Sequence, residues 1–174
     1  MIRVKLGRSW CDAIRSEGSL SVEWLARLSK PVEATARGKG ESWLIEADPT
    51  DWDELALWCY QRSAVPIGSS VEAENFAVVA GRVLGRIEDN LKRMALHPAY
   101  QGRAVKANSA VVLPAFRCKH PRARWWPTPR MAVQHAEGDS LELEWGWLKP
   151  VVKQVRGWTV TKWHLDTEPP AYYG

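Results

Sequence analysis

Residues 71–96 read VEAENFAVVAGRVLGRIEDNLKRMAL, and their spacing predicts the longest helix of the chain. Phe76, Val79, Val83, Ile87, Leu91 and Met94 recur every three or four residues, while Glu74, Arg82, Arg86, Asp89 and Arg93 fall mostly elsewhere. That is the period of an amphipathic helix with one buried stripe. Ser69 or Ser70 stands where a cap belongs, and His97-Pro98 ends the run because proline disfavours an α conformation in the residue before it. Ala77, Gly81 and Gly85 recur every four residues, a shallow stripe along which another element is able to approach closely. Arg82 and Arg86 in the same stretch remove any membrane meaning from its GxxxG spacing.

Upstream, Ile2, Val4 and Leu6 alternate with Arg3 and Lys5, the period of a half-buried strand that Gly7 breaks. Ser9 is positioned to cap a short helix over residues 10–16, which Gly18 ends, and Val22, Leu25 and Leu28 mark a second short helix within residues 21–29. Residues 31–37 and 41–47 flank Gly38-Lys39-Gly40 and predict a β-hairpin over residues 31–47. That glycine pair is not a phosphate loop, which needs GxxxxGK[ST] between strand and helix. Asp48-Pro49 opens a helix that ends near Arg62, with Trp52, Leu55, Ala56 and Cys59 on one face. Asp51, Asp53 and Glu54 lie where the dipole of a helix N-terminus favours anions, an ordinary reason for acidic side chains there.

Downstream, Ser109–Phe116 predicts an edge strand, given Pro114. Arg117–Arg130 carries too much proline and arginine for regular structure and reads as a loop. Residues 131–134 read as a strand and residues 137–139 as a turn. Leu141–Trp147, Val151–Val155 and Thr159–Leu165 read as strands, the last two joined at Arg156-Gly157 in a second hairpin. Residues 166–174 form a tail. The expected architecture is an α+β domain over residues 1–165: a helical N-terminal half built on the long helix, packed on a mainly antiparallel sheet from the C-terminal half and the 31–47 hairpin.

The 174 residues are 45 % apolar, enough for a core, and include eleven tryptophans against two phenylalanines. Cys11, Cys59 and Cys118 are odd in number and form no CxxC pair, which argues for a reducing compartment and against a disulfide framework. No window approaches the apolar run of a membrane span, and the N-terminus lacks that of a signal peptide, so a cytoplasmic chain is expected.

One stretch points to a partner. Residues 101–130 hold Arg103, Lys106, Arg117, Lys119, Arg122, Arg124 and Arg130 and no acidic residue. Residues 1–100 carry 13 basic and 14 acidic side chains, and residues 131–174 carry 4 and 6, so this segment supplies more than the whole net charge of +4. A positive field of this kind attracts polyanions. Trp125 and Trp126 end the run as stacking surfaces do in single-strand binders. Arg117, Lys119, His120, Arg122 and Arg124, laid out in an extended loop, would follow a nucleic-acid backbone, RNA or DNA, free or within a ribonucleoprotein. The blander alternatives are a solvated loop whose charges balance Glu142 and Glu144, or a loop that meets an acidic protein surface.

Other chemistry has weaker support. Cys118-Lys119-His120, with His97 or His135 brought in from elsewhere, gives only half of a zinc pattern, so no metal or cofactor is expected. Cys118, among cations, is the one thiol with a reactive setting. His120 beside arginines is the single candidate for metal-free phosphodiester cleavage. GxSxG, HExxH and dinucleotide fingerprints are absent, so the leading reading is non-catalytic. A protein–protein adaptor or inhibitor, such as a subunit or antagonist of a prokaryotic defence or phage assembly, is the competing class.

Overall fold

The computed structural model describes residues 1–38, 40–106, 112–136, 138 and 142–169. It shows the expected α+β class with antiparallel sheets and one long helix. Lys39, the first residues of the predicted 109–116 strand, Glu137 and Asp139 of the predicted turn, Leu141, and residues 170–174 of the predicted tail lie outside the described residues. Residue contacts divide the chain into two compact units, Met1–Asn90 and Leu91–Gly174.

In the first unit, β1 (Ile2–Gly7) pairs antiparallel with β3 (Gly40–Ala47), and β2 (Glu33–Arg37) pairs with the other edge of β3, giving the order β1-β3-β2. Val4 and Leu6 of β1 and Trp43, Ile45 and Ala47 of β3 are buried, as the period of two requires. Arg3 and Glu46, opposite each other in the register, join at 2.6 Å. Helix α1 (Arg8–Glu17) begins one residue before the predicted cap: Gly7 takes the N-cap position without a side-chain bond, and Gly18 closes the helix at φ 78°. Ser21 caps α2 (Val22–Arg27), its hydroxyl accepting the Trp24 amide at 3.4 Å.

Helix α3 (Pro49–Ser63) starts at the expected proline, and Trp52, Leu55, Ala56 and Cys59 are all fully buried. Asp48 makes no side-chain cap bond; its carboxylate instead meets the N-terminal amine at 3.4 Å. Helix α4 (Val71–Ala95) covers the quoted stretch, with the Ser70 hydroxyl accepting the Ala73 amide at 3.2 Å. Its buried stripe runs through Ala77, Ala80, Val83, Ile87, Leu91 and Ala95. Of the small-residue stripe, Ala77 is buried, whereas the two glycines leave open space beside the helix. A Cβ added at Gly85 meets nothing within 4 Å, and one at Gly81 meets only the Ser63 Cβ at 3.9 Å.

The second unit takes in the last turn of α4 and a 3-10 turn at Pro98–Gln101, where His97 Nδ1 accepts the Ala99 amide. Its sheet has the order β4-β5-β6, from Leu113–Cys118, Leu143–Val155 and Trp158–Asp166. Two predicted strands are thus one: β5 runs unbroken through Pro150. Proline cannot donate to a ladder. Pro150 is accommodated because the pairing of β4 with β5 ends at Leu113 and Leu148 among the described residues, so that β5 continues with β6 as its neighbour. Arg156 (φ 49°) and Gly157 (φ 75°) form the two-residue turn, the left-handed pair that matches the twist of a tight hairpin. Residues 131–134 are not a strand: they belong to helix α5 (Pro129–Gln134), started by proline and capped by Thr128, whose hydroxyl accepts the Met131 amide at 3.2 Å. Ala99, Tyr100, Ala115, Leu148 and Trp163 form the unit's core.

No helix among the described residues is long and apolar enough to cross a membrane. All three cysteines are buried and unpaired with one another. Burial pushes the Cys11 and Cys59 thiols up to about 12, because the neutral form is the one a dry core tolerates. The contribution of these two thiols to stability is therefore complete below about pH 9, their ordinary value, and is lost as the pH rises toward 12. The native chain is expected to leave a thiol reagent unreacted at pH 8, and the chain unfolded in urea to consume three equivalents. One equivalent consumed by the native chain would show that a cysteine is open to solvent.

Candidate nucleic-acid interface

The basic stretch is not an extended loop. Strand β4 carries Arg117 and Cys118, and α5 begins at Pro129, so within residues 117–130 the irregular part is 119–128. Two backbone hydrogen bonds tie this segment back onto the strand: the Phe116 amide donates to Trp126 O at 2.8 Å, and the Trp126 amide donates to Phe116 O at 2.7 Å. The Lys119 amide donates to Glu142 O at 2.8 Å and the Ala123 amide to His120 O at 3.0 Å. Bonds of this kind satisfy the backbone of a segment in which Pro121, Pro127 and Pro129 remove donors, and they fold it into a compact turn.

The cations fall into two groups. Arg117 Nε meets Glu144 Oε2 at 2.7 Å, across the β4–β5 pair that places the two residues opposite each other. Its guanidinium also covers the Trp125 ring, 4.5 Å from the centroid. Lys119 pairs with Glu142. These two cations are locally balanced, as the blander sequence reading had it. Arg103, Arg122 and Arg124 are exposed and form no ion pair among the described residues. Arg130 is half-buried in the first turn of α5.

The aromatic rings are also less free than their sequence suggests. Trp125 is half-buried and packs against the core of the unit. Trp126 stacks on His135, with centroids 4.1 Å apart and planes 12° from parallel, so one face of the indole is already covered. Arg124, Trp126, His135 and Ala136 line an open hollow of about 300 Å³. His120 Nδ1 accepts the Arg122 amide at 3.2 Å, so that nitrogen serves the turn. The Cys118 thiol is buried and lies 3.5 Å from Ala132 O, which removes the reactive setting its sequence neighbours suggested. No group of three or more metal-ligating side chains comes together among the described residues.

Arg103 and Lys106 are carried elsewhere in the unit. Val105 and Thr161 exchange two backbone hydrogen bonds, each of 2.7 Å, which lays this segment along β6. Lys106 Nζ then sits 3.7 Å from the centre of the Trp158 ring. The β5–β6 hairpin was missed as a basic element, although the sequence carries the signal. Residues 145–165 contain Lys149, Lys153, Arg156 and Lys162 and no acidic residue. Summing over residues 131–174 hides this, because the acids at 137–144 and 166–168 outweigh it. At the base of the hairpin, Lys149 Nζ meets Asp166 Oδ2 at 2.8 Å. That contact and the Glu168 amide hold the Asp166 carboxyl below its ordinary value.

Charge follows the division into units. Residues 91–174 carry 13 basic and 6 acidic side chains, net +7, and residues 1–90 carry 11 and 14, net −3. Comparison with known proteins gives no match: no family model, no curated protein and no solved structure matches this chain.

Proposed function

We propose that the second unit binds nucleic acid without acting chemically on it. The observation that carries this reading is the concentration of net charge, +7, in one compact unit of 84 residues. Phosphate contacts supply most non-specific affinity for nucleic acid, and they need cations that are not already neutralised. Arg103, Arg122 and Arg124 meet that requirement, and the Trp126 hollow beside Arg124 offers a face on which a base can stack. Arg117 and Lys119 act less directly, since they hold Glu144 and Glu142 and so fix the turn that presents Arg122 and Arg124.

A second reading is a protein–protein adaptor, and exposed tryptophans favour it. Trp145 and Trp158 are 56 % and 59 % exposed, and rings of this size commonly anchor protein contacts. One titration separates the two readings. Fluorescence anisotropy with labelled single- and double-stranded DNA and RNA is measured across a salt series. Log affinity is expected to fall linearly with log salt, by roughly 0.7–0.9 for each phosphate contact. Arg122→Ala/Arg124→Ala is expected to weaken binding and flatten that slope, with circular dichroism unchanged. No binding by the wild-type chain at low salt would end the nucleic-acid reading and leave the adaptor, tested by stoichiometric co-purification after nuclease treatment.

A further inference from the structure

From the β5–β6 hairpin we infer that the ribbon enters the major groove of duplex DNA; this rests on the nucleic-acid reading of the second unit. The register fixes which side chains share a face. Leu148 pairs with Leu165, Pro150 with Trp163 and Val152 with Thr161. Leu148, Trp163 and Thr161 on this face are buried and so meet the core, whereas Leu165 and Val152 on it are exposed. The opposite face pairs Lys149 with His164, Val151 with Lys162, Lys153 with Val160, and Val155 with Trp158. All eight of these residues are exposed or half-buried, and residues 151–158 are exposed without interruption.

Three features of that face select its partner. An isolated two-stranded ribbon is marginally stable, and this one leaves Val151, Val155 and Trp158 in water at its far end, a cost that a partner would offset. Its charges are of one sign: Lys153 and Lys162 lie on the face, Arg156 at the turn and Lys106 against Trp158, with acidic residues confined to the base. A surface of this charge complements a polyanion.

The ribbon's dimensions favour a duplex. From Lys149 to Val155 it extends roughly 20 Å at about 3.3 Å per residue, and its two strands lie about 4.8 Å apart. The major groove of B-form DNA, about 12 Å wide, admits a two-stranded ribbon. The major groove of an RNA duplex is too narrow and deep for one. Of the exposed apolar side chains on this face, Val151 and Val155 are aliphatic and Trp158 alone is aromatic, so a single strand finds no series of rings on which successive bases stack. In this arrangement the valines and Trp158 lie toward the groove floor, while Lys153, Arg156 and Lys162 reach the phosphates on either side.

The test compares Lys153→Ala/Arg156→Ala/Lys162→Ala with Arg122→Ala/Arg124→Ala and the wild-type chain. The probes are a labelled 20-base-pair DNA duplex, the RNA duplex of the same sequence, and one DNA strand alone. The ribbon variant is expected to bind the DNA duplex at least tenfold more weakly at low salt. Its salt slope should fall by roughly 2–3, the share of three phosphate contacts. The wild-type chain is expected to prefer the DNA duplex to the RNA duplex. Lys153→Glu alone should give the same direction if the triple variant does not fold. Wild-type duplex affinity in a folded ribbon variant, with a loss in Arg122→Ala/Arg124→Ala, overturns the ribbon and leaves the nucleic-acid reading standing. Preference for the RNA duplex or the single strand overturns the groove assignment. No binding of any probe by the wild-type chain overturns the nucleic-acid reading itself.

Discussion

Trp52→Ala is expected to destabilise the first unit by about 3–5 kcal/mol, the range for removing a large aromatic ring from a core. Trp52 is fully buried in α3, and its ring lies 5.0 Å from that of Trp24 at an interplanar angle of 57°. Three elements meet at this pair. Trp24 comes from α2, Trp52 from α3, and the Trp52 indole N–H donates to Ile2 O in β1 at 3.0 Å. Alanine removes the apolar contact, leaves a cavity and withdraws the donor together. Small domains have stabilities of about 5–15 kcal/mol, so the variant should unfold at much lower urea. Trp52→Phe separates the contributions: it keeps most of the packing and loses the hydrogen bond, for an expected cost of about 1–2 kcal/mol. Urea denaturation of both variants, followed by far-ultraviolet circular dichroism, gives the comparison. A loss below about 1 kcal/mol in Trp52→Ala would mean that the ring is not at the centre of this core.

Trp52 also shows which parts of the fold were legible in the sequence. Helix α3 announces itself locally: a proline at its start, a period of three to four, and four apolar residues on one face, all of them buried. The β5–β6 turn is equally local, since Arg156-Gly157 lies between two strand-like runs. Helix α5 is not legible in the same way because Met131-Ala132-Val133 is a consecutive apolar run, which reads equally as a short strand. Thr128-Pro129 carried a start signal there that the neighbouring proline and arginine obscured.

The candidate site was legible in composition and illegible in geometry. Seven cations without an acid in residues 101–130 are visible at once, but Arg117 meets its partner Glu144 only through a strand pairing that spans 27 residues of chain. The bonds between Phe116 and Trp126 that turn a supposed open loop into a pinned one have no local signature. Lys106 reaches Trp158 through the Val105–Thr161 bridge, which no spacing rule gives. Local chemistry named the residues, and non-local pairing decided which of them still face outward to meet a partner.

Gly146→Ala is expected to destabilise the second unit by about 2–3 kcal/mol, more than one added methyl suggests. The alternation in LELEWGW identifies the strand but not its inner face. Trp145 is 56 % exposed, whereas Gly146 and Leu148 are buried. Gly146 stands opposite Ala115, and the end of β6 passes close over it. A Cβ there would lie 2.6 Å from Asp166 O and 2.9 Å from Leu165 Cδ1. The leucine has rotamers to try, but the carbonyl belongs to backbone that is anchored on both sides. The Asp166 carboxylate is held by Lys149 at 2.8 Å and by the Glu168 amide at 2.9 Å. Relief of the contact therefore requires β5 and β6 to separate where the ribbon meets the core. Gly85→Ala is the matched control, because a Cβ there meets nothing within 4 Å and the site is helical. That change should be neutral or stabilising by up to about 1 kcal/mol, as alanine is the better helix former. Urea midpoints measured side by side should move in opposite directions, or only that of Gly146→Ala should move. Equal stability of Gly146→Ala and the wild-type chain would mean that the strand end does not close over this glycine.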